Sequence, residues 1–596
     1  MNSSLLLSIL RRNLLFIFFL LALSVGIYLN SLGNDFAVVD DLKGYIENEN
    51  IRHLWPSIKT LHIQNIFYAL TYQLFGITPL PLRIVAIINH AIVSILVFIT
   101  IYKLFNKKTA YIASILFAVH PVNSEVIDWV SAQFYAPMAI FQFSAILSHI
   151  AYRQTKNKKH LYLTIAIFTL YLILFQHPWV LTTPLVIMVI DFFILDRGFD
   201  IAFYKRFLLL LLPILAIYFI IRFPQTYSDR MSGQSIENGK ILLNEQAIIP
   251  IIEGYPYSVY NTFRLYIFPK DLSIYYDGKP LTSIDRMLMF ITFIIYIAGT
   301  IYAYSKNKKI AGLLILLVIC IAPVFSPIKV TWYITERYLY AGAGFFTTLL
   351  SLLFLYLEKK LSIKYLSYIL ALITVIIFCI RTWERTADWK NPETLAFATM
   401  KTAPRSVRPF NDLAGYYVLH NRIPEAKKYY QKALRITPSI VAMNNLGYIY
   451  AMSDLDANIR TLNQPYESML QLGQEAMQKK QPRQALYYYN EIYTPESHDI
   501  VLVNNIAAAF LEAGVYDKAE KYLEISMKYN TSMPDTYFLY GYLAFKKGDL
   551  NKAVDYLNTV LKLDPNHAGA RANLEYVKQQ LGATPPNSSP PFPEQK

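Results

Sequence analysis

Two stretches near the C-terminus, "AAAFLEAGVYDKAEKYLEISMKY" (507–529) and "GYLAFKKGDLNKAVDYLNTVLKLDP" (541–565), carry small, aromatic and charged residues in the same order. A period of 34 residues relates them: Gly473, Ala507 and Gly541 are equally spaced, and so are Ala485, Ala519 and Ala553. Small residues at a fixed period stand where the two antiparallel helices of a repeat approach closely. The spacing therefore predicts an array of stacked helix pairs, an α-solenoid.

The repeats match the tetratricopeptide (TPR) pattern of a small residue, an aromatic, a glycine turn, an alanine and a closing proline. A further copy stands at 413–438, whereas 441–467 is degenerate, which predicts one truncated or interrupted repeat. We expect a TPR domain over 390–575 and a disordered tail, rich in Pro and Ser, over 576–596. Such arrays usually bind peptides or proteins on a concave face, with a spacer or a dimer face as the alternative.

The part before the repeats has the composition of a membrane protein. Apolar residues make up 54% of the 596 residues, and they concentrate in the first two thirds. The net charge is +15, but the Lys and Arg of this part lie in short clusters between apolar runs, so we expect no nucleic-acid partner. Cys320 and Cys379 both lie inside apolar runs, which supports neither a disulfide framework nor a cysteine metal site.

About eleven apolar runs approach the length that crosses a bilayer. They are 13–29, 83–102, 109–119, 133–152, 161–176, 179–195, 207–221, 284–303, 310–325, 338–357 and 365–380. The first run has no small-residue cleavage site, which indicates an uncleaved anchor. The predicted fold class is therefore all-α: a polytopic transmembrane domain over 1–381, followed by the TPR solenoid.

Basic clusters occupy every second gap between these runs. They are Arg11-Arg12, 103–108, 153–160, 196–206, 305–309 and 358–364. By the positive-inside rule these gaps face the cytoplasm. The alternate gaps then face outward, together with the TPR domain; they are 30–82, 120–132, 177–178, 222–283, 326–337 and everything after 381.

The outward gaps hold most of the unusual polar residues. These are Asp40, Asp41, His120, Glu125, Asp128, Arg264, Lys270, Glu336 and Arg337. Taken singly, these residues have structural alternatives. Asp40 and Asp41 could form an Asx-type turn, His120 could cap a helix, and Glu336 and Arg337 could form an interfacial ion pair. Together they suit a cavity for a lipid-borne phosphate, where a carboxylate takes a proton from an attacking hydroxyl and a cation stabilises the departing phosphate.

Six segments, taken in order, form a recognisable pattern. They are "DFAVVDDLKGYIENENIR" (35–52), "LTYQLFGITPLPLRIVAIINHAI" (70–92), "LFAVHPVNSEVIDWVSA" (116–132), "FRLYIFPKDLSIYY" (263–276), "ERYLYAGAGF" (336–345) and "RTWERTADWKNPETLAFATMKTAP" (381–404). Over nearly its whole length the chain resembles the transmembrane-and-tetratricopeptide O-mannosyltransferases and their bacterial relatives, within the GT-C class. The resemblance implies transfer of a sugar from a polyprenyl- or dolichyl-phosphate carrier to an acceptor hydroxyl on the non-cytoplasmic face. It also implies that the TPR groove holds a protein or peptide acceptor.

The resemblance also implies roles for individual residues. Asp40 and Asp41 fall on the acidic pair of the family's first outer loop, which makes Asp40 the expected base and Asp41 its partner. His120 and Glu125 fall on the second block, and Glu336 and Arg337 on the third. Arg337 would face the phosphate, and Glu125 would orient groups on the acceptor side.

The sequence departs from the family pattern where three polar groups are usual. Thr60, Leu61 and His62 replace Tyr-Arg-Pro, the segment 132–135 replaces Gly-Arg-x-Asp, and Gln176-His177 replaces Lys-Glu. An expected cation is therefore absent at each place. Either the sugar carrier differs, with His62 or His177 sharing the phosphate role, or activity is lost.

Two other readings stay open. The first is a non-catalytic, membrane-anchored TPR scaffold with a degenerate transferase core, which the three departures favour. The second, a transporter, is disfavoured because no span carries a charged residue deep in its middle. No cofactor is indicated, and a divalent metal ion stays open because no His/Asp spacing specifies one. We expect a bacterial inner membrane with periplasmic repeats, or else an endoplasmic reticulum membrane with lumenal repeats; the sugar, carrier and acceptor are not specified.

Overall fold

The computed structural model describes residues 9–37, 39–175, 177–196, 251–276, 281–325, 332–437, 439–453, 464–495 and 498–582, together with 205, 212, 236–237, 240–241 and 455. The chain divides into two units, Met1–Ser406 and Val407–Lys596. Regular structure in the described residues is helical, apart from two-residue antiparallel strands, β1 (Ile236–Glu237) and β2 (Lys240–Ile241). The predicted all-α class is confirmed.

The first unit contains thirteen described α-helices of eight or more residues. They are α1 (Leu14–Gly26), α2 (Ile63–Phe75), α3 (Leu80–Leu104), α4 (Lys107–Ala118), α5 (Tyr135–Thr155), α6 (Lys158–Phe175), α7 (Thr182–Val189), α8 (Ile251–Ile267), α9 (Ser283–Lys306), α10 (Lys308–Ile319), α11 (Glu336–Leu361), α12 (Leu366–Asp388) and α13 (Pro392–Thr402). Shorter helical turns join them, at Leu29–Gly33, Val39–Asp41, Leu42–Ile46, Glu49–Arg52, Leu54–Lys59, Pro121–Asn123, Ser124–Asp128, Val130–Ala132, Pro178–Leu181, Ile190–Ile194 and Ala322–Phe325. Residues 34–37 and 39–41, called the acid loop below, lead from α1 toward α2.

Within the described residues, seven helices are long and apolar enough to cross a membrane. They are Leu14–Gly33, Leu80–Leu104, Val130–Thr155, Lys158–Phe175, Ser283–Lys306, Glu336–Leu361 and Leu366–Asp388, and α4 with Pro121–Asp128 forms an eighth, bent by 51°. These eight coincide with eight of the eleven predicted runs. The runs at 179–195 and 310–325 form shorter helices, and 207–221 lies outside the described residues apart from residue 212.

The core of the first unit is built around α3, α5 and α11. Helix α3 packs against α1, α4 and α5, while α11 packs against α4, α10 and α12. Two glycines of the "AGAGF" segment let α11 approach closely, because a Cβ on Gly342 would lie 2.5 Å from the Tyr266 hydroxyl. A Cβ on Gly344 would lie 3.2 Å from Val97 of α3. By contrast, α9 is almost entirely exposed, and its Ile-rich surface suits lipid.

A buried ionic group links α5 to the turn Ile190–Ile194. Asp191 contacts His149 Nε2 at 3.0 Å and Arg153 Nε at 3.2 Å, and all three side chains are buried. We call these three residues the inner cluster. A buried charge is tolerated when opposite charges and hydrogen-bond donors surround it, so this group fastens the two segments together.

The second unit consists of helix pairs. Its described helices are α14 (Arg408–Leu419), α15 (Ile423–Ile436), α16 (Ile440–Met452), α17 (Tyr466–Gln478), α18 (Pro482–Ile492), α19 (Ile500–Glu512), α20 (Tyr516–Tyr529), α21 (Pro534–Lys546), α22 (Leu550–Leu563) and α23 (Ala568–Gly582). Helices α14–α15, α17–α18, α19–α20 and α21–α22 pack as pairs, whereas α16 packs against α18. The small residues of the 34-residue period lie at these contacts, since a Cβ on Gly473 would overlap the Tyr489 ring.

Candidate active site

The acid loop is tied to the end of α12. The Asn34 side-chain amide donates a hydrogen bond to the Thr386 carbonyl at 2.9 Å. The Asp35 backbone amide donates to the Lys390 carbonyl, also at 2.9 Å. These bonds join segments about 350 positions apart in sequence, so the path of the loop is fixed by the fold and not by local turn chemistry alone.

The two acids of the loop occupy opposite environments. Asp40 is exposed, and its carboxylate has no hydrogen bond or ion pair with a described residue. Asp41 is fully buried and accepts three hydrogen bonds: from the Ser131 amide at 2.9 Å, the Ser131 hydroxyl at 2.7 Å and the Ala37 amide at 3.2 Å. Burial raises the pKa of Asp41, against the lowering effects of the Ser131 hydroxyl and the Arg83 charge. One acid is thus available to solvent while its neighbour anchors the loop.

Glu125 and Arg337 form a nearly buried ion pair. The Arg337 backbone amide donates to Glu125 at 3.0 Å, and the guanidinium contacts the other carboxylate oxygen. Glu125 is fully buried, whereas 12% of the Arg337 side chain is exposed. The guanidinium carbon lies 4.8 Å from the Trp129 ring centroid and 5.3 Å from that of Tyr338. Carboxylate and aromatic rings together hold this cation in one orientation.

Glu336 pairs with a different arginine. One of its oxygens accepts from the Ser273 amide at 2.7 Å, the Tyr276 hydroxyl at 2.9 Å and Arg385 at 3.3 Å. Arg385 also contacts Asp388 at 3.2 Å. Burial and the Glu336 charge raise the pKa of Tyr276, which keeps this phenol a hydrogen-bond donor. The alternative of a simple pair between Glu336 and the next residue is therefore not the arrangement found.

His120 has a structural position. Its Nδ1 accepts from the Val122 amide at 3.2 Å, capping the turn Pro121–Asn123, and its Nε2 lies 3.1 Å from the Tyr266 carbonyl. These two contacts specify a neutral ring with the proton on Nε2. The ring thereby links the turn Pro121–Asn123 to α8.

The other predicted cations and histidines lie around this region with different surroundings. Arg264 donates from Nε to Asn261 at 3.0 Å, and the Lys270 side chain is exposed. His62 stands at the start of α2 and is half-buried. The His177 ring lies 5.4 Å from the Tyr135 ring, in an aromatic cluster that continues to Tyr338.

A small cavity adjoins Arg337. A cavity of about 20 Å³ lies beside Arg337 and is lined in part by Tyr135, Gln142, Trp179, Thr182 and Tyr338. A volume of that size holds about one water molecule. Among the described residues, no three His, Cys, Asp or Glu side chains stand close enough together to hold a metal ion.

The sequence patterns did not predict a functional role for three charged residues of this region: Arg83, Arg385 and Asp388. Arg83 is buried beside the acid loop, and Arg385 is the partner of Glu336. The available signal for Arg83 was a lone arginine at the edge of an apolar run, where an ionisable residue is a functional candidate by default. The available signal for Arg385 was its place in the charged segment 381–404, the sixth segment of the family pattern.

Comparison with known proteins agrees with this architecture. The tetratricopeptide repeat family matches residues 534–567, which form α21 and α22. "Protein O-mannosyl-transferase F38B6.6" of Caenorhabditis elegans is 25% identical over 72% of this chain and 63% of its own length. "Protein O-mannosyl-transferase TMTC3" of Homo sapiens is 22% identical over 93% of this chain and 65% of its own.

This chain resembles the protein O-mannosyl-transferases. The mouse TMTC3 protein gives the same picture, at 22% identity over 93% of this chain and 64% of its own length. The resemblance predicted from the six segments is confirmed, as are the transmembrane character and the TPR region. The chain spans just under two thirds of the length of each of these curated relatives.

Proposed function

We propose that this protein is a membrane glycosyltransferase of the GT-C type. It moves a sugar from a polyprenyl- or dolichyl-phosphate donor to a hydroxyl, that of Ser or Thr in a protein acceptor, on the non-cytoplasmic face. The relatives are named protein O-mannosyl-transferases, which supports sugar transfer to protein. The TPR unit supports a protein acceptor, since such arrays bind peptides.

The contrast between Asp40 and Asp41 carries the proposal. A general base must reach the acceptor hydroxyl, and Asp40 is the exposed acid of the pair. Asp41 is already engaged by three hydrogen bonds and holds the short helix Val39–Asp41 in place. A base on an anchored support keeps its position relative to the reacting atoms, which is a large part of its effect.

The reaction is a single displacement at the anomeric carbon. The acceptor oxygen forms a bond to that carbon as the bond from carbon to phosphate oxygen breaks. Asp40 takes the hydroxyl proton, and the lipid phosphate leaves with the electron pair of the broken bond. Attack opposite the leaving group inverts the anomeric configuration.

Arg337 is the cation proposed to face the lipid phosphate. It is partly exposed, and the carboxylate of Glu125 and the ring of Trp129 restrict its motion. A guanidinium fixed in this way stabilises developing phosphate charge without reorganising during the reaction. Arg264, Lys270, His62 and His177 are proposed to add donors around the phosphate, whereas both ring nitrogens of His120 are engaged in the fold.

The test uses the 596-residue chain in lipid nanodiscs, with radiolabelled polyprenyl-phosphate mannose and a Ser/Thr-rich peptide. Asp40→Asn is expected to lower turnover by about 10²-fold or more, as loss of a general base does. Glu47→Gln is the matched control, because Glu47 is another exposed acid six residues beyond Asp41. Equal turnover in wild type and Asp40→Asn would contradict the role of Asp40.

One observation favours the scaffold alternative. The cavity of about 20 Å³ beside Arg337 has no room for a sugar in the described arrangement. If the wild-type chain transfers no sugar from mannose or glucose donors yet still captures a peptide on its TPR unit, the scaffold function replaces the transferase.

A further inference from the structure

Arg83, at the start of α3, is a buried cation that the proposed chemistry does not use. Only 1% of the residue is exposed. Its Nη2 donates a hydrogen bond of 2.6 Å to the carbonyl of Asp35 in the acid loop. Its Nε and Nη1 are buried and have no hydrogen-bond acceptor in the described part of the chain. A buried guanidinium is costly unless nearby negative charge balances it.

That negative charge comes from the acid loop and from the short helix Ser124–Asp128. The carboxyl groups of Asp128, Asp41 and Asp35 attract the Arg83 guanidinium. Asp128 is fully buried, and neither of its oxygens accepts a hydrogen bond of normal geometry from a described residue. One buried cation therefore balances charge on two buried carboxyl groups, those of Asp41 and Asp128.

The surroundings argue against Arg83 as a phosphate ligand. The side chain is sealed from solvent, and the negative charges that act on it come from three acids, so an incoming anion would meet repulsion. Arg337, by contrast, is partly exposed and has aromatic neighbours. The two arginines therefore have separate tasks.

We propose that Arg83 is a positioning residue for the acid loop. Its guanidinium holds the Asp35 carbonyl at the start of the loop and compensates the charge of Asp41 at its end. Between these two points the helix Val39–Asp41 presents Asp40 to solvent. The link to catalysis rests on the proposed function, whereas the link to loop geometry does not.

The charge relation suggests a suppressor test. Arg83→Gln leaves Asp41 and Asp128 without their shared cation. Asp128→Asn in the same chain removes one of the two carboxylates and restores the balance. We expect Arg83→Gln to lower kcat by tenfold or more with the donor KM changed less than twofold, and the double variant to recover most of that loss.

Amide hydrogen exchange gives a readout that needs no activity. In Arg83→Gln the amides of Ala37 and Ser131, which donate to Asp41, are expected to exchange at least tenfold faster. In the double variant their protection returns. If the wild type has no transferase activity, the exchange rates still show whether Arg83 positions the acid loop. Failure of the proposed function is thereby distinguished from failure of this inference.

Arg153→Gln is the matched control. Arg153 is equally buried but pairs with Asp191 in the inner cluster. Asp128→Asn should not rescue this variant. Rescue of both arginine variants would indicate a general stabilising effect of Asp128→Asn and would overturn the proposal.

Two further outcomes also decide the proposal. If Arg83→Gln exchanges its Ala37 and Ser131 amides at the wild-type rate, Arg83 does not position the loop. If Arg83→Gln alone does not accumulate as folded protein, the double variant must restore accumulation, and its failure to do so contradicts the charge balance.

Discussion

Replacing Asp41 tests whether this residue is the anchor of the acid loop. Asp41→Ala removes the acceptor for the Ser131 amide, the Ser131 hydroxyl and the Ala37 amide, which donate at 2.9, 2.7 and 3.2 Å. One of these donors is buried and the two of Ser131 are partly buried; leaving them unsatisfied costs about 1 kcal/mol each, which gives about 3 kcal/mol in total. Asp41→Asn keeps an acceptor toward Ser131 but presents an NH₂ group to the Ala37 amide, so about 1 kcal/mol is expected.

Local hydrogen exchange is the suitable assay, because a chain with two units need not unfold in one step. A loss of about 3 kcal/mol corresponds to roughly 10²-fold faster exchange at the Ser131 amide, since about 1.4 kcal/mol is tenfold. Asp40→Ala is the internal control: its side chain is exposed and unbonded among the described residues, so exchange should stay within a factor of about two. Equal effects of Asp40→Ala and Asp41→Ala would refute the anchoring role.

The remaining predictions concern pH, the inner cluster and helix packing. Burial raises the pKa of Asp41 in the folded protein above 3.8. The stability that this shift contributes is therefore present below pH 3.8 and is lost as pH rises through the native pKa. As pH rises, the acid-loop amides of wild type should lose protection from hydrogen exchange relative to those of Asp41→Asn. Asp191→Ala breaks the inner cluster and should cost about 3–5 kcal/mol in denaturant unfolding. Asp196→Asn, which removes an exposed ion pair and keeps a residue type that tolerates the positive φ of this position, should leave the unfolding midpoint nearly unchanged. Gly342→Val drives a Cβ against a tyrosine hydroxyl at 2.5 Å and should cost about 1–3 kcal/mol in a thermal melt, whereas Gly299→Ala enters open space and should not destabilise.

Local periodicity explains why much of the fold could be predicted. The 34-residue period depends on contacts within one helix pair, such as that between Gly473 and Tyr489, so it is visible in sequence. Membrane-spanning runs are likewise local, since their length and composition alone satisfy the bilayer. The role of the acidic pair is predicted from one short segment and a family resemblance.

Side-chain partners could not be predicted in the same way, because they join distant segments. Adjacent residues on a helix point in different directions, so Glu336 and Arg337 at the start of α11 do not face each other. Glu336 meets Arg385 and Arg337 meets Glu125, over separations of 49 and 212 residues. No periodic signal encodes such pairs. The electrostatic relation between Arg83 and Asp41 could not be predicted for the same reason.

The pairs themselves provide an independent check on the predicted alternation of gaps. Asp41 from the gap 30–82 contacts Ser131 from 120–132, and Ser273 from 222–283 contacts the carboxylate of Glu336. These four segments are all predicted to face outward, and each of these contacts joins two of them.

The basic gaps make a separate set of contacts. Lys103 contacts Gln154 at 3.5 Å, Lys108 contacts Glu358 at 3.5 Å, and Lys308 contacts Asp196 at 3.0 Å, so each bond joins two gaps predicted to be cytoplasmic.

Helix α3 connects the two sets of contacts, and its length gives the distance between them. Arg83 lies near its start, among the outer contacts, and Lys103 lies near its end, among the basic ones. Twenty residues of α-helix rise about 30 Å, which is the thickness of the hydrocarbon core of a bilayer. The charge pattern and the contacts therefore agree that the acid loop lies one membrane thickness from the basic gaps. The positive-inside rule predicts that the basic gaps face the cytoplasm, so this separation supports the proposal that Asp40 meets its lipid-borne donor on the opposite face.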